Sequence, residues 1–295
     1  MRPVILDTDI GSDVDDLLAL VFILRSRELA LQGVTTVYGD TRRRARLAKV
    51  VCGLSGEPEL PVIPGQEKPL SGRQVYWAGI EGEGVAGLDD VKLDAENGAD
   101  AFLLSQAEAR QGELEILAIG PLTNIARAIE REPRFCRWIK RLYLMGGTFY
   151  DDRPEHNIRC DTVAAAKVFG SGMPTVALGL DVTMIPSIRE KDVLRLEGSS
   201  DPLSRLAAEQ IRRWWLFRHD AQNNPHDPLA ALAMERPDLF RFETCGVQVQ
   251  LDGPFYGRTY RVKTGPLVEV ASDVFSHTAL ELIIDRLAYT PSQDG

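Results

Sequence analysis

Through its first two-thirds the chain alternates short, β-branched apolar runs with stretches whose apolar residues recur at helical spacing. The runs predict strands over 4–7, 33–38, 61–63, 115–119, 141–145 and 175–180. Between them the spacing predicts helices over 17–26, 42–54, 99–110, 122–132 and 162–169. Pro121 suits a helix's first turn and Asp161 an N-cap. Strand and helix in repetition imply right-handed crossovers. The expected fold is therefore α/β: an open, mostly parallel, Rossmann-like sheet with helices on both faces. The strands are apolar almost throughout, as strands covered on both sides are.

After residue 185 the rhythm changes. A helical segment carries Trp214, Trp215 and Phe217, a polar break follows at Asn223-Asn224-Pro225, and a helix is expected from Pro228. Strand-like runs at 246–251 and 259–263 are joined by a Gly/Pro-rich turn, and a last helix is expected over about 278–287. With no low-complexity linker and no internal repeat, the expectation is one domain over 1–295 with a small C-terminal elaboration.

Composition narrows the function. The 295 residues carry 34 Lys+Arg against 43 Asp+Glu, a net charge of −9. A chain of this length buries roughly 75% of its unfolded surface and needs no staples. Cys52, Cys136, Cys160 and Cys245 lack C-x-x-C spacing, which argues against a disulfide scaffold or a zinc site. Without a basic block a nucleic-acid partner is not expected, and Arg42-Arg43-Arg44 reads as a solvated helix face. The longest apolar run, 17–24, is far short of the ~20 residues of a spanning helix. Acidic residues from Asp7 leave no room for a signal peptide, so a cytoplasmic protein without membrane partners is expected.

Residues 7–16, D-T-D-I-G-S-D-V-D-D, place five carboxylates where an apolar strand gives way to an apolar helix. In open α/β sheets ligands bind at that edge. Carboxylates this crowded repel one another, and a hard divalent cation, calcium or magnesium, relieves the repulsion. Helix capping explains one or two of these aspartates but not all five. An EF-hand is excluded, because counting from Asp7 the sixth position is Ser12 and the twelfth Leu18.

The stretch resembles the D-x-D-P-G-x-D-D fingerprint of the inosine-uridine-preferring nucleoside hydrolase family. The likeness continues in order through G-V-T-T-V-Y-G-D (33–40), I-G-P-L-T-N-I-A (119–126), L-M-G-G (144–147), E-H-N (155–157), G-L-D-V-T (179–183) and H-D-P-L-A (226–230). The resemblance implies the nucleoside hydrolase fold and calcium-dependent hydrolysis of the N-glycosidic bond of a ribonucleoside to free base and ribose. It implies Asp9 as metal ligand and as base toward the bound water, with Asp16, Asp227 and the Ile119 carbonyl as further ligands. Asp15 would take a ribose hydroxyl, Glu155 and Asn157 the 5′- and 3′-hydroxyls, and Met145 would lie along the sugar, with Asp7 supporting the shell. Positive charge develops on the sugar as such a bond breaks, so carboxylates around it suit the chemistry. A homodimer or homotetramer is expected by family analogy. From its own sequence position Asp227, before Pro228, reads equally as a helix cap or a ligand.

Four departures from the family pattern stand out. The acidic loop is two residues longer, and an alternative register makes Asp13 a ligand. Asp40 replaces a usual sugar-binding asparagine, and Glu81 falls where several members carry a histidine near the base. His156 replaces a usual phenylalanine, and the segment from Gly147 to Glu155 is short, losing an asparagine that touches the 5′-hydroxyl. For the leaving base, His226 is the candidate acid, His219 a second, and Trp215 with its aromatic neighbours a stacking surface. The residues also admit two other readings: a non-catalytic calcium- and ligand-binding member of the fold, and a haloacid-dehalogenase-like phosphohydrolase built on the same D-x-D.

Overall fold

The computed structural model describes residues 1–289 apart from Asp94 and Glu96, so 290–295 of the expected domain lie outside the described residues. The chain runs β1 (Arg2–Thr8), α1 (Asp15–Leu24), β2 (Leu29–Thr36), α2 (Thr41–Leu54), β3 (Val62–Pro64), α3 (Ala99–Ala109), β4 (Glu115–Ala118) and α4 (Thr123–Arg131). It continues through α5 (Phe135–Trp138), β5 (Arg141–Met145), α6 (His156–Cys160), α7 (Thr162–Phe169), β6 (Thr175–Leu178), α8 (Leu180–Thr183) and α9 (Glu190–Glu197). The last elements are α10 (Pro202–Arg218), α11 (His226–Glu235), β7 (Phe240–Val249), β8 (Thr259–Val262), β9 (Leu267–Val274) and α12 (Ser276–Leu287).

Among the described residues the strands form one sheet in the order β3-β2-β1-β4-β5-β6-β9-β7-β8. It is parallel from β3 to β9, with β7 antiparallel to β9 and β8. Alternation along β1 explains the two covering layers. Val4 and Leu6 join a core with residues of α1, α2 and α11, while Ile5 joins the opposite core with residues of α3, α4 and α7. From β1 the chain winds outward to β2 and β3, then returns to β4 on the other side and winds away. A crevice opens at the carboxyl ends of β1 and β4, where the winding reverses.

Three expectations need correction. β9 was not foreseen; its sequence alternates, but its parallel pairing with β6 and antiparallel pairing with β7 join residues far apart in the chain. The strand expected at 175–180 ends at Leu178, because Leu180 N–H donates to Gly147 O and opens α8. The helices α5, α6 and α8 run four or five residues, too short for the apolar period to register, and α9, at eight, is mostly charged.

Candidate active site

β1 delivers the acidic loop to the crevice. Asp7 is fully buried at the strand's end, accepting from Thr35 Oγ1 at 2.5 Å and Asn124 Nδ2 at 2.7 Å. Burial pushes its carboxyl up to about 7, against those two hydrogen bonds. The longer loop is absorbed before the helix, with Gly11 at φ 118°. Arg44 holds it there: its guanidinium donates to Asp9 O, to Ile10 O at 2.9 Å and to Tyr38 O at 2.7 Å. Arg44 is only 1% exposed, which overturns its reading as part of a solvated face. α2 carries it inward, where carbonyls without strand partners need donors.

Asp15 and Asp16 stand in the first turn of α1, and Asp227 in the first turn of α11. Carboxylate oxygens of the three lie within 4.8 Å of one another, and all three residues are buried. Burial, followed by repulsion from neighbouring carboxylates, holds each well above the usual carboxylate range. Thr8 Oγ1 donates to Asp16 Oδ1 and fixes its orientation. Asp13 lines the same cavity outside this triad; burial raises its carboxyl to about 6. Asp9 also lines it without being part of the triad.

The cavity around the triad, of about 340 Å³, is also lined by Ile119, Met145, Glu155 and Asn157. Glu155 caps α6, accepting from Asn157 N at 2.8 Å, Ile158 N at 3.0 Å and Gly147 N at 3.1 Å. Asn157 Nδ2 donates to Ile119 O at 2.8 Å and Met145 O at 3.2 Å, tying the ends of β4 and β5 together. His226 also lines this cavity, its Nδ1 2.8 Å from Thr183 Oγ1. Burial pulls its pKa down to about 4. An adjoining cavity of about 360 Å³ shares Asp9, Asp13, His156 and His226 and adds Tyr76 and Trp214.

Four candidates lie elsewhere. Asp40 is exposed and caps α2, accepting from Arg43 N at 2.9 Å, because the helix's first N–H groups need an acceptor. Glu81 is buried and structural, receiving Ser12 Oγ, Ala78 N and Gly79 N. His219 closes α10 in the left-handed conformation, φ 53°, and is exposed. Trp215 is in the core with its indole N–H on Asn223 Oδ1 at 2.9 Å, while Trp214 faces the cavity. Sequence reasoning missed Arg44, Asn124 and Tyr76. Its place in the I-G-P-L-T-N-I-A block (119–126) was the one signal for Asn124, whose side chain also accepts from Gln66 N and donates to Thr36 O.

Residues 4–280 match the inosine-uridine preferring nucleoside hydrolase family. The chain belongs to that family. Members cleave the N-glycosidic bond of nucleosides, and this chain is a nucleoside hydrolase by that membership, which removes the phosphohydrolase alternative. It is similar to uridine nucleosidase 1 of Arabidopsis thaliana, 34% identical over 86% of this chain and 80% of that protein. The pyrimidine-specific ribonucleoside hydrolase of Salmonella typhi is 30% identical over 97% of this chain and 98% of its own. A solved plant nucleoside hydrolase superposes with a TM-score of 0.90 at 27% identity, over 97% of this chain and 99% of that one. A purine-preferring ribonucleoside hydrolase from Gardnerella vaginalis gives 0.84 at 25% identity, over 97% and 98%.

Proposed function

We propose that this nucleoside hydrolase is calcium-dependent and acts chiefly on pyrimidine ribonucleosides, releasing base and ribose. The observation that carries the reading is the meeting of buried Asp15, Asp16 and Asp227 beside Asp9 at the sheet's switch point. Three buried carboxylates at this spacing call for a cation, and the donors are all oxygens, with no thiol or imidazole in the triad. Asp9, Asp16, Asp227 and the second lone pair of the Ile119 carbonyl would hold the ion, leaving Asp15 for a ribose hydroxyl. Bound there, calcium positions water and lowers its pKa. Relatives named for uridine and for pyrimidine ribonucleosides support the substrate class.

In this reading Glu155 and Asn157 receive the 5′- and 3′-hydroxyls, and the sugar lies along Met145. Asp9 takes the proton of the attacking water. As the bond from C1′ to the base nitrogen lengthens, the surrounding carboxylates stabilise the positive charge on the sugar. His226, with its pKa near 4, is neutral at physiological pH and serves as a hydrogen-bond donor to the departing base rather than as a stored imidazolium. Tyr76 and Trp214 offer ring faces to that base. The protein is proposed to work in the cytoplasm as one domain per chain, in a homodimer or homotetramer.

The test is a nucleoside panel (uridine, cytidine, inosine) with free base and ribose assayed. Uracil release that a chelator abolishes and calcium restores is the expected result. Calcium binding with no base released from any nucleoside would instead make the chain a non-catalytic binder.

A further inference from the structure

Beside the carboxylate cavity lies a third one, of about 510 Å³, of opposite character. Arg73, Arg159 and Arg218 line it together with Tyr38, Tyr76 and Tyr256, and among the described residues no carboxylate does. Most arginines of this acidic chain are ion-paired or buried against carbonyls. These three make no ion pair with a carboxylate among the described residues; Arg73 sits 3.4 Å from the Tyr256 ring centroid and Arg218 5.6 Å from that of Trp214. Tyr256 is 8% exposed, and its buried hydroxyl has no hydrogen-bond partner among the described residues. Arg218 also faces the Asp13 carboxylate, whose pKa it lowers, but Arg73 and Arg159 bring their charge to the same space without an ion pair among the described residues, and guanidinium matches phosphate with paired N–H donors.

The cavity is continuous with the site. It shares Pro154 and His156 with the carboxylate cavity, and Tyr38, Tyr76, His156 and Arg218 with the base-side cavity. Glu155 caps α6 and Arg159 lies one turn along it, with Arg159 N–H on Glu155 O at 2.9 Å. A group carried on the 5′-oxygen at Glu155 therefore has a path toward Arg159. We propose that this cavity is a phosphate subsite, and that the enzyme hydrolyses ribonucleoside 5′-monophosphates as well as nucleosides. This rests on the sugar orientation of the proposed function. The step balances as for a nucleoside: water adds across the bond from C1′ to the base nitrogen, its oxygen to C1′ and a proton to the base, giving free base and ribose 5-phosphate.

The test compares uridine and uridine 5′-monophosphate on the calcium-loaded enzyme and on Arg159→Gln and Arg73→Gln. Wild type is expected to release uracil from both. Each variant is expected to lose roughly 10- to 100-fold in kcat/KM for the monophosphate, the worth of one charge-assisted hydrogen bond, with uridine turnover unchanged. Calorimetry is expected to show ribose 5-phosphate binding wild type more tightly than ribose, and the two alike in Arg159→Gln. Uracil from uridine but none from the monophosphate overturns the subsite alone. So does inorganic phosphate altering uridine turnover while the monophosphate stays intact, which would place the anion's source outside the substrate. Uracil from neither compound overturns the underlying functional reading as well.

Discussion

Asp9 leaves the end of β1 with its carbonyl held by Arg44, so asparagine keeps its shape and its backbone support while losing the base. Asp9→Asn is expected to lower kcat roughly 10²–10⁴-fold with an unchanged thermal midpoint, the usual worth of a positioned base. Turnover near wild type would remove Asp9 from that role. Asp227 is different, because it shares a buried space with two other carboxylates. Asp227→Ala is expected to weaken calcium by roughly 100-fold or more, since even outer supports of a metal site are worth about 10–100-fold. The same change relieves repulsion in the metal-free protein. Its midpoint should therefore hold or rise, whereas a residue that only capped α11 would lower it. Titration calorimetry and a melting curve separate the two. The sequence made the acidic residues visible as a group, but Arg44, in a run of three arginines, looked like solvated charge. Only the helix's rotation about its axis distinguishes Arg44 from its neighbours.

At the scale of elements, the turn from β4 to α4 is built close against the acidic loop. A Cβ on Gly120 would lie 2.8 Å from Asp9 Oδ1, 2.9 Å from Asp9 N and 2.9 Å from Val37 Cγ1. Gly120→Ala is expected to cost about 1–3 kcal/mol in stability, as overpacking does, and to lower turnover by displacing Asp9. Urea unfolding and uridine kinetics check the two effects. α10 shows how an element's phase decides chemistry. Neighbouring tryptophans go to opposite environments, Trp215 into the core and Trp214 to the cavity, and His219 turns away at the helix's end. Composition marked the aromatic cluster, but a one-residue step along a helix turns a side chain by about 100°, which no local pattern of mixed apolar residues resolves.

Across the whole molecule, the sheet's winding gathers residues separated by more than two hundred positions, Asp15 and Asp16 with Asp227. Their raised carboxyl pKa values make the metal-free fold pH-sensitive. The folded protein keeps protons that the unfolded chain releases above about pH 4, so this contribution to stability falls as pH rises toward neutrality. Calcium replaces those protons and reverses the trend. At 100 times its Kd it should add about 2.7 kcal/mol, raising the thermal midpoint by several degrees, with a larger gain at neutral pH than at pH 5. A chelator titration followed by thermal melting tests this; a midpoint indifferent to calcium at both pH values would reject the site.

The chain's own order of apolar runs and helical stretches determined the α/β class, most element positions and the edge at which the acidic loop emerges, because strand and helix periods are local properties of a sequence. The ordered blocks likewise placed the chain in its family. What the tertiary structure decided was which carboxylates meet, which helical faces look inward, and how β9 links the parallel sheet to the C-terminal hairpin. Those depend on contacts between distant segments, whose free energy exists only once the sheet is assembled and water has left the crevice.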